Sequence, residues 1–200
     1  MTRMRGVRKA NMAFYEYMVP LVKGWSTEMS IDVASTGVQI HGGMGFIEET
    51  GAAQHYRDAR IAPIYEGTNG IQAADLVTRK LGYDNGGVLQ ALMAEIAAEM
   101  EDVPEVAALA KDAAAIGQWM STTASLDDKL AGSVPFTTMC AVAVAGWQLG
   151  RQSRASDLHS KIAVTKFFNR VIVPEARGLG SSAMAGAALL YDLDSEALAG

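Results

Sequence analysis

The sequence predicts an all-α fold made of two consecutive helical bundles, and three observations carry that prediction. Apolar residues recur at helical spacing along most of the chain, and no alternating apolar-polar run is long enough for a strand. Half of the residues are hydrophobic, with abundant Ala, Gly and Met but only five prolines, a mix suited to closely packed helices. Composition changes sharply once, at Gly82-Tyr83-Asp84-Asn85-Gly86-Gly87, a turn signal that separates residues 1–82 from 83–200. With 200 residues the chain has ample length for a core, and antiparallel helical hairpins are the expected product.

The first helix is predicted over residues 4–18, with Met4, Val7, Met12, Tyr15 and Val19 along one face. Pro20 and Gly24 break it. Ser26 or Thr27 caps a second helix carrying Met29, Val33, Gln39 and Ile40, and Gly42-Gly43 ends it. A short charged helical turn follows over residues 50–60. Thr68 then caps a helix with Ile71, Ala74, Leu76, Val77 and Leu81 at helical spacing. Beyond the boundary four helices are expected. Leu89, Leu92, Met93, Ile96, Met100 and Val103 form the stripe of one. Pro104 suits the first position of the next, with Val106, Leu109, Ala113, Ile116 and Met120 inward. The third starts at Ser133 to Phe136 and turns Met139, Val142, Ala143, Gly146 and Leu149 inward. Leu158, Ile162, Val164, Phe167, Phe168 and Val171 form the stripe of the fourth, which Pro174 stops. A short helix over residues 182–190 closes the chain.

Charge and composition exclude several functions. A net charge of −5 argues against a general binder of nucleic acid or membrane surfaces. The most apolar run, residues 141–147, is far too short to span a membrane. Arg3, Arg5, Arg8 and Lys9 are followed by no apolar core or cleavage site of a signal peptide, and are read as a solvated basic face of the first helix. The single cysteine, Cys140, permits no internal disulfide and fits a reducing, cytoplasmic compartment. Its neighbours Met139, Ala141 and Val142 make it a core residue. His41, His55 and His159 lack metal-ligand spacing, and no metal site is expected. His41 near a helix C-terminus suits the helix dipole. Gly42-Gly43-Met44-Gly45 has no preceding strand and no following Lys-Ser/Thr, so neither a dinucleotide fingerprint nor a phosphate loop is read there. It is either a helix C-cap or a glycine turn where backbone meets a ligand.

The stretch with chemical content is residues 58–72, centred on Glu66. Pro63 disfavours helix in the residue before it, so residues 61–64 read as extended or turning. Glu66 then lies just outside the N-terminus of the helix that Thr68 caps, and Gly67 permits close approach or a positive φ. Helix N-termini favour negative charge, whereas the apolar Ile61, Pro63, Ile64 and Tyr65 would raise the carboxylate pKa by desolvation. A carboxylate tuned upward suits proton abstraction near neutral pH. A plain capping or solvated Glu fits the same local pattern. Tyr56-Arg57-Asp58-Ala59-Arg60 is read as a salt-bridged turn that fixes an extended Glu66 segment.

Three linked motifs give a more specific reading. Val38-Gln39-Ile40-His41-Gly42-Gly43-Met44-Gly45-Phe46, then Tyr56-Arg57-Asp58-Ala59-Arg60, then Ile64-Tyr65-Glu66-Gly67-Thr68-Asn69 resemble, in order and spacing, the C-terminal helical domain of acyl-CoA dehydrogenases. The resemblance covers residues 1–82. Glu66 to Gln72 followed by Ala74 to Leu81 is similar to the 3-methylmercaptopropionyl-CoA dehydrogenase-like subclass, which carries an extra helical C-terminal domain, and residues 83–200 resemble that extension.

The resemblance implies that Glu66 removes the α-proton of an acyl-CoA thioester while the β-hydride passes to FAD, giving a trans-enoyl-CoA. It implies that Glu66 and Gly67 contact the substrate, with the Glu66 N–H polarising the thioester carbonyl. It implies that Gln39, Gly42 and Gly43 touch the FAD of a neighbouring subunit in a homo-oligomer, and that Thr68 lies at the FAD pyrophosphate. Gly70 departs from the family, where many members place Gln or Glu. The family also has an N-terminal helical domain and a middle β-domain that cradle the flavin, and the chain is expected to work with them, or with a separate subunit carrying them, and with an electron-transfer flavoprotein as acceptor. An oxidase passing electrons to oxygen uses the same base. The competing expectation is a non-catalytic helical module for oligomerisation or partner binding.

Overall fold

The computed structural model describes the backbone of residues 2–192 and 195–199, and the side chains of these residues apart from 2–10, 84, 85 and 195. Among the described residues the chain is helical and has no strand. The helices are α1 Thr2–Ile40, α2 Gly43–Phe46, α3 Ala52–Ala59, α4 Asn69–Asp75, α5 Gly87–Glu99, α6 Pro104–Thr122, α7 Leu126–Ala131, α8 Ser133–Arg154, α9 His159–Phe167, α10 Val173–Arg177, α11 Gly180–Ala183 and α12 Ser195–Ala199. Helices α3 and α4 pack along α1, α5 and α6 form a hairpin, and α8 lies between α1, α4 and α6.

The predicted break at Pro20 does not occur: α1 is one helix of 39 residues with Pro20 inside it. Proline removes the N–H that would bind the carbonyl four residues back, here that of Glu16. The Lys80 ammonium donates to that carbonyl at 2.7 Å and to the Glu16 carboxylate at 2.7 Å. Lys80 is itself buried and reaches α1 from the π turn Leu76–Lys80 that extends α4. Nor does Thr27 cap a second helix. Its hydroxyl donates back to the Lys23 carbonyl at 2.7 Å, a bond that competes with capping.

The inward face of α1 also differs from the predicted stripe. Met12, Tyr15, Val19, Val33 and Ile40 are exposed, whereas Tyr17 and Leu21 are buried. Met4 and Val7 lie outside the residues whose side chains are described, as do Arg3, Arg5, Arg8 and Lys9. Gly24, expected to break the helix, is buried instead where a Cβ would stand 3.8 Å from Thr137 Cγ2 of α8. On α4, Ala73, Leu76 and Val77 point inward while Ile71 is exposed.

Beyond residue 82 the stripes of α5 and α6 fall as predicted: Leu89, Leu92, Met93, Ile96 and Met100 are buried, as are Val106, Leu109, Ala113, Ile116 and Met120. Helix α6 starts on Pro104, and α8 begins at Ser133. Helix α7 was not predicted; a capping box between Ser125 and Asp128 starts it. The fourth stripe is corrected. Leu158, Val164, Phe167 and Val171 are exposed, and Thr165, Asn169, Val173 and Ala176 face inward instead. Pro174 does not stop this helix, because the π turn Phe168–Ile172 widens it just before the proline and α10 continues. The closing helix is split, with Gly186 at φ 76° between α11 and the 3-10 turn Ala188–Tyr191.

Residues from both sides of position 82 share one hydrophobic cluster, in which Tyr17, Leu21, Leu76 and Val77 meet Leu89, Met93, Phe136 and Cys140. Cys140 is fully buried beneath the Tyr17 hydroxyl, 3.6 Å from its Sγ. Burial pushes its pKa up to about 12, so the thiol is a core group and not a nucleophile.

Replacing Lys80 with Met keeps the apolar stem and removes the donor, leaving the Glu16 carbonyl unpaired. Chemical denaturation at neutral pH is expected to read a loss of about 1–3 kcal/mol. The Lys80 hydrogen bond also holds the Glu16 carboxyl below its usual 4.5. A depressed folded pKa contributes stability above the unfolded value that disappears as pH falls through the folded one. The gap between wild type and Lys80→Met is therefore expected to narrow below about pH 4.5 in denaturation series. A gap that widens in acid contradicts this assignment.

Candidate active site

Glu66 stands on a turn built from both sides. On its N-terminal side, Ile64 N–H and Tyr65 N–H donate to the Ile61 carbonyl, and Asn69 N–H closes the turn onto the Pro63 carbonyl at 3.0 Å. Pro63 is buried, so the turn is anchored by an apolar ring. On its C-terminal side the Thr68 side chain accepts from Ile71 N–H at 3.2 Å and caps α4 as predicted. Gln72 Nε2 donates to the Glu66 carbonyl at 3.2 Å. Between these fixed points Glu66 takes φ 54°, the one positive φ of a non-glycine residue among those described, and Gly67 follows at φ 85°. A left-handed conformation costs an L-residue about 1–2 kcal/mol and persists only where the surroundings impose it.

Three features of this segment differ from expectation. Residues 61–64 are turns, one of the two readings open for them, and residues 65–67 are bends, so the Glu66 segment is not an extended strand. The preceding Tyr56-to-Arg60 segment lies in and just after α3, where Arg57 pairs with Glu48 at 2.7 Å instead of bracing Glu66. That guanidinium holds the Glu48 carboxyl below its usual range. The apolar residues before Glu66 do not bury it: Ile61, Ile64 and Tyr65 are about half exposed, and Glu66 itself is exposed.

The turn is seated on α1 by residues whose role the sequence reading missed. Asn69 Nδ2 donates to the Gly24 carbonyl at 3.1 Å, to Thr27 Oγ1 at 2.9 Å and to Glu28 Oε1 at 2.8 Å. Its Oδ1 accepts from Lys23 Nζ at 2.8 Å, and the same ammonium donates to the Gly67 carbonyl at 2.8 Å. One signal could have found this. Thr68 and Asn69 are both cap-type residues, only one can cap, and the other must bond elsewhere.

Gln39, Gly42 and Gly43 lie at the C-terminal end of α1 and are exposed. At the usual helical rise Gln39 is about 24 Å along the axis from Lys23, so this group is not brought together with Glu66, Gly67 and Thr68. Gly42 takes φ 61° and ψ −143°, a conformation that favours glycine. A Cβ on Gly45 would stand 2.2 Å from the Val38 carbonyl oxygen, so Gly45 packs α2 directly onto α1. A Cβ on Gly43 would meet nothing within 4 Å. The Gly42 N–H donates to the Gln39 carbonyl at 3.0 Å and the Gly45 N–H to the Gly42 carbonyl at 2.9 Å, so the glycine turn is closed by its own backbone. Gln39, Gly42 and Gly43 are all exposed, and the absence of side chains at the two glycines leaves room for a ligand to approach the backbone.

Two family models cover nearly all of the chain. That of the acyl-CoA dehydrogenase C-terminal domain matches residues 3–81, and the one described as acetyl-CoA dehydrogenase C-terminal like matches residues 73–194. The chain belongs to the acyl-CoA dehydrogenase family. It is 41% identical over 184 residues to the 3-methylmercaptopropionyl-CoA dehydrogenase of Ruegeria pomeroyi, covering 80% of this chain and 31% of that protein. Identity to the broad-specificity linear acyl-CoA dehydrogenase of Mycobacterium tuberculosis is 30% over 191 residues, again 80% of this chain and 31% of that protein. The porcine mitochondrial long-chain specific acyl-CoA dehydrogenase is 42% identical over 64 residues, 32% of this chain and 15% of that protein. This acyl-CoA dehydrogenase chain thus spans about a third of the length of the first two relatives.

Gly67 and Gly43 make a contrasting pair for mutation. Gly67→Ala places a Cβ at φ 85° and 3.2 Å from Gln72 Nε2, and is expected to lower stability by about 1–2 kcal/mol. Gly43→Ala is expected to stay within about 0.5 kcal/mol of wild type or to gain slightly. Thermal and urea denaturation of the two variants check the ordering, which would be reversed if the Gly67 turn were free to relax.

Proposed function

We propose that this chain is the part of a flavin-dependent acyl-CoA dehydrogenase that carries the catalytic base, Glu66. The observation that supports this most is the conformation of Glu66. It is a carboxylate residue held at positive φ on a braced turn, with its side chain exposed. Strain of this kind clusters at functional sites, where a reacting group must be presented in one direction.

In the proposed reaction the Glu66 carboxylate removes the α-proton of an acyl-CoA thioester. The α-proton is weakly acidic, so negative charge developing on the thioester oxygen needs a donor. The Glu66 N–H has the location to provide it, next to the side chain that takes the proton. Gly67 leaves room for the thioester to approach. FAD, when bound, supplies the hydride acceptor for the β-carbon. Thr68 would hold the pyrophosphate of that FAD at the start of α4, while Gln39, Gly42 and Gly43 would hold the FAD of a neighbouring subunit. The half-exposed Ile61, Ile64 and Tyr65 form an apolar rim against which further flavin-bearing structure would close and exclude water.

Residues 1–82 and 83–200 are proposed as the family's C-terminal domain and a helical extension of it. We propose a homo-oligomer acting on acyl-CoA in the cytoplasm, with electron-transfer flavoprotein as electron acceptor. Among the described residues no helix is long and apolar enough to cross a membrane.

The test is Glu66→Gln in the complete flavin-loaded assembly, with an acyl-CoA and an artificial electron acceptor. A loss of about 10²–10⁴-fold in turnover is expected, the range for a positioned general base. Unchanged turnover overturns the assignment, and a stable assembly without any turnover favours a non-catalytic helical module.

A further inference from the structure

We infer that Lys23 and Asn69 are positioning residues for Glu66, a clamp that sets the direction of the base from the opposite side of its turn. This rests on Glu66 being the base. Glu66 has an exposed side chain with no ion pair among the described residues. With no side-chain partner, what the fold sets is the backbone from which the carboxylate departs, and that backbone is held by the residues around it.

Lys23 is where those restraints converge. Its ammonium is half-buried on α1 and donates at 2.8 Å both to the Gly67 carbonyl and to Asn69 Oδ1. The first bond orients the peptide immediately after Glu66–Gly67. The second joins that peptide to the start of α4. Asn69 in turn spends its Nδ2 on Gly24, Thr27 and Glu28, which occupy the following turns of α1. Thr27 is held by its own bond to the Lys23 carbonyl, so lysine, threonine and asparagine close a ring. Each bond spans more than 40 positions in the chain, except the local Thr27 link. The ring therefore transmits the rigidity of a 39-residue helix to a six-residue turn that has no core of its own. Bonds to a charged donor are the stronger kind, and the turn must hold a left-handed residue that would otherwise relax.

The ring acts on geometry and not on the chemistry itself. A base displaced by about 1 Å loses on the order of 10²-fold in rate. Removing either end of the Lys23–Asn69 bond should thus slow proton abstraction while leaving the carboxylate in place. A lysine that merely packed α4 on α1 would affect stability and assembly alone.

The experiment compares wild type, Lys23→Met, Lys23→Arg, Asn69→Ala and Glu66→Gln in the flavin-loaded assembly. For Lys23→Met and Asn69→Ala we expect turnover to fall about 10- to 100-fold with normal flavin absorbance and little change in KM. The kinetic isotope effect on an α-deuterated acyl-CoA should rise, since proton removal becomes more nearly rate-limiting. Lys23→Arg should recover part of the rate, because a guanidinium can still reach the carbonyl. In the 200-residue chain itself, the Glu66 Cα and Cβ chemical shifts should report left-handed backbone in wild type and move toward ordinary values in both clamp variants. That measurement needs no activity and decides the matter if a variant fails to assemble. Wild-type turnover, isotope effect and Glu66 shifts in the clamp variants, beside an inactive Glu66→Gln, overturn the clamp alone. An active Glu66→Gln overturns the assignment of the base, and shifts that still move in the clamp variants would then leave the clamp as a device for the turn.

Discussion

Pro20 leaves the Glu16 carbonyl without its helical donor, and the Lys80 ammonium takes it at 2.7 Å while binding the carboxylate of the same residue. Because that vacancy is filled, α1 continues for five further turns to Ile40 and brings Lys23, Gly24, Thr27 and Glu28 into one rigid row. The same lysine ends the π turn that follows α4, so the segment after Glu66 is tied to α1 at both ends. Asn69 holds its start and Lys80 holds its end. A buried ammonium is costly unless fully bonded, and here two oxygens at 2.7 Å and the Asp75 carboxylate at 3.7 Å surround it. Asp75 is kept below its usual range first by Arg79 and then by Lys80, so the negative partners stay ionised through the neutral range.

The other side of α1 explains why this row stays still. Tyr17 and Leu21 are fully buried against the second half of the chain, and burying such side chains contributes about 1.5–3 kcal/mol each. Helix α8 approaches through small residues. Gly146 would place a Cβ 3.0 Å from Val106, and Gly150 would place one 2.5 Å from the Met100 methyl. On α6, a Cβ at Gly117 would stand 2.0 Å from Leu89, so the α5–α6 hairpin closes only with glycine there. Glu99 joins α5 to α8 by accepting from Trp147 at 2.6 Å and Arg151 at 2.9 Å. The bundle beyond residue 82 therefore acts on the Glu66 turn at a distance, by immobilising the helix that carries the turn's bonds.

What the sequence made legible follows from which interactions are local. Stripes on α5 and α6 were readable because both are hairpin helices whose buried residues are apolar and recur at helical spacing. Pro20 and Pro174 misled because their relief comes from far along the chain in one case, Lys80 to Glu16, and from a π turn in the other. The α9 stripe misled because its inward row, Thr165, Asn169 and Val173, includes polar residues, while Phe167 and Val164 remain on the surface. At the candidate site, Thr68 as cap and Gly67 at positive φ were legible from residue type alone. The left-handed Glu66 was not, since nothing in a glutamate announces it. Lys23 was equally invisible, because its bonds reach 44 and 46 positions away.

The geometry of α1 also bears on how the proposed cofactor contacts divide. Lys23 and the Glu66 turn lie near the middle of the helix, and Gln39 with Gly42 and Gly43 lies at its end, about 24 Å farther on at the usual rise. An unbroken helix does not shorten, so no local motion brings these two groups onto the same few atoms of a ligand. Both groups are exposed, and each has its own backbone device: a braced left-handed residue at one, a glycine-specific turn at the other. A helix with the proposed base seated at its centre and the proposed cofactor contacts at its tip is suited to an assembly in which the tip reaches a neighbour's cofactor. The proposal of a shared flavin site in a homo-oligomer thus draws on the same feature as the clamp, a single α1 that passes Pro20 without a break.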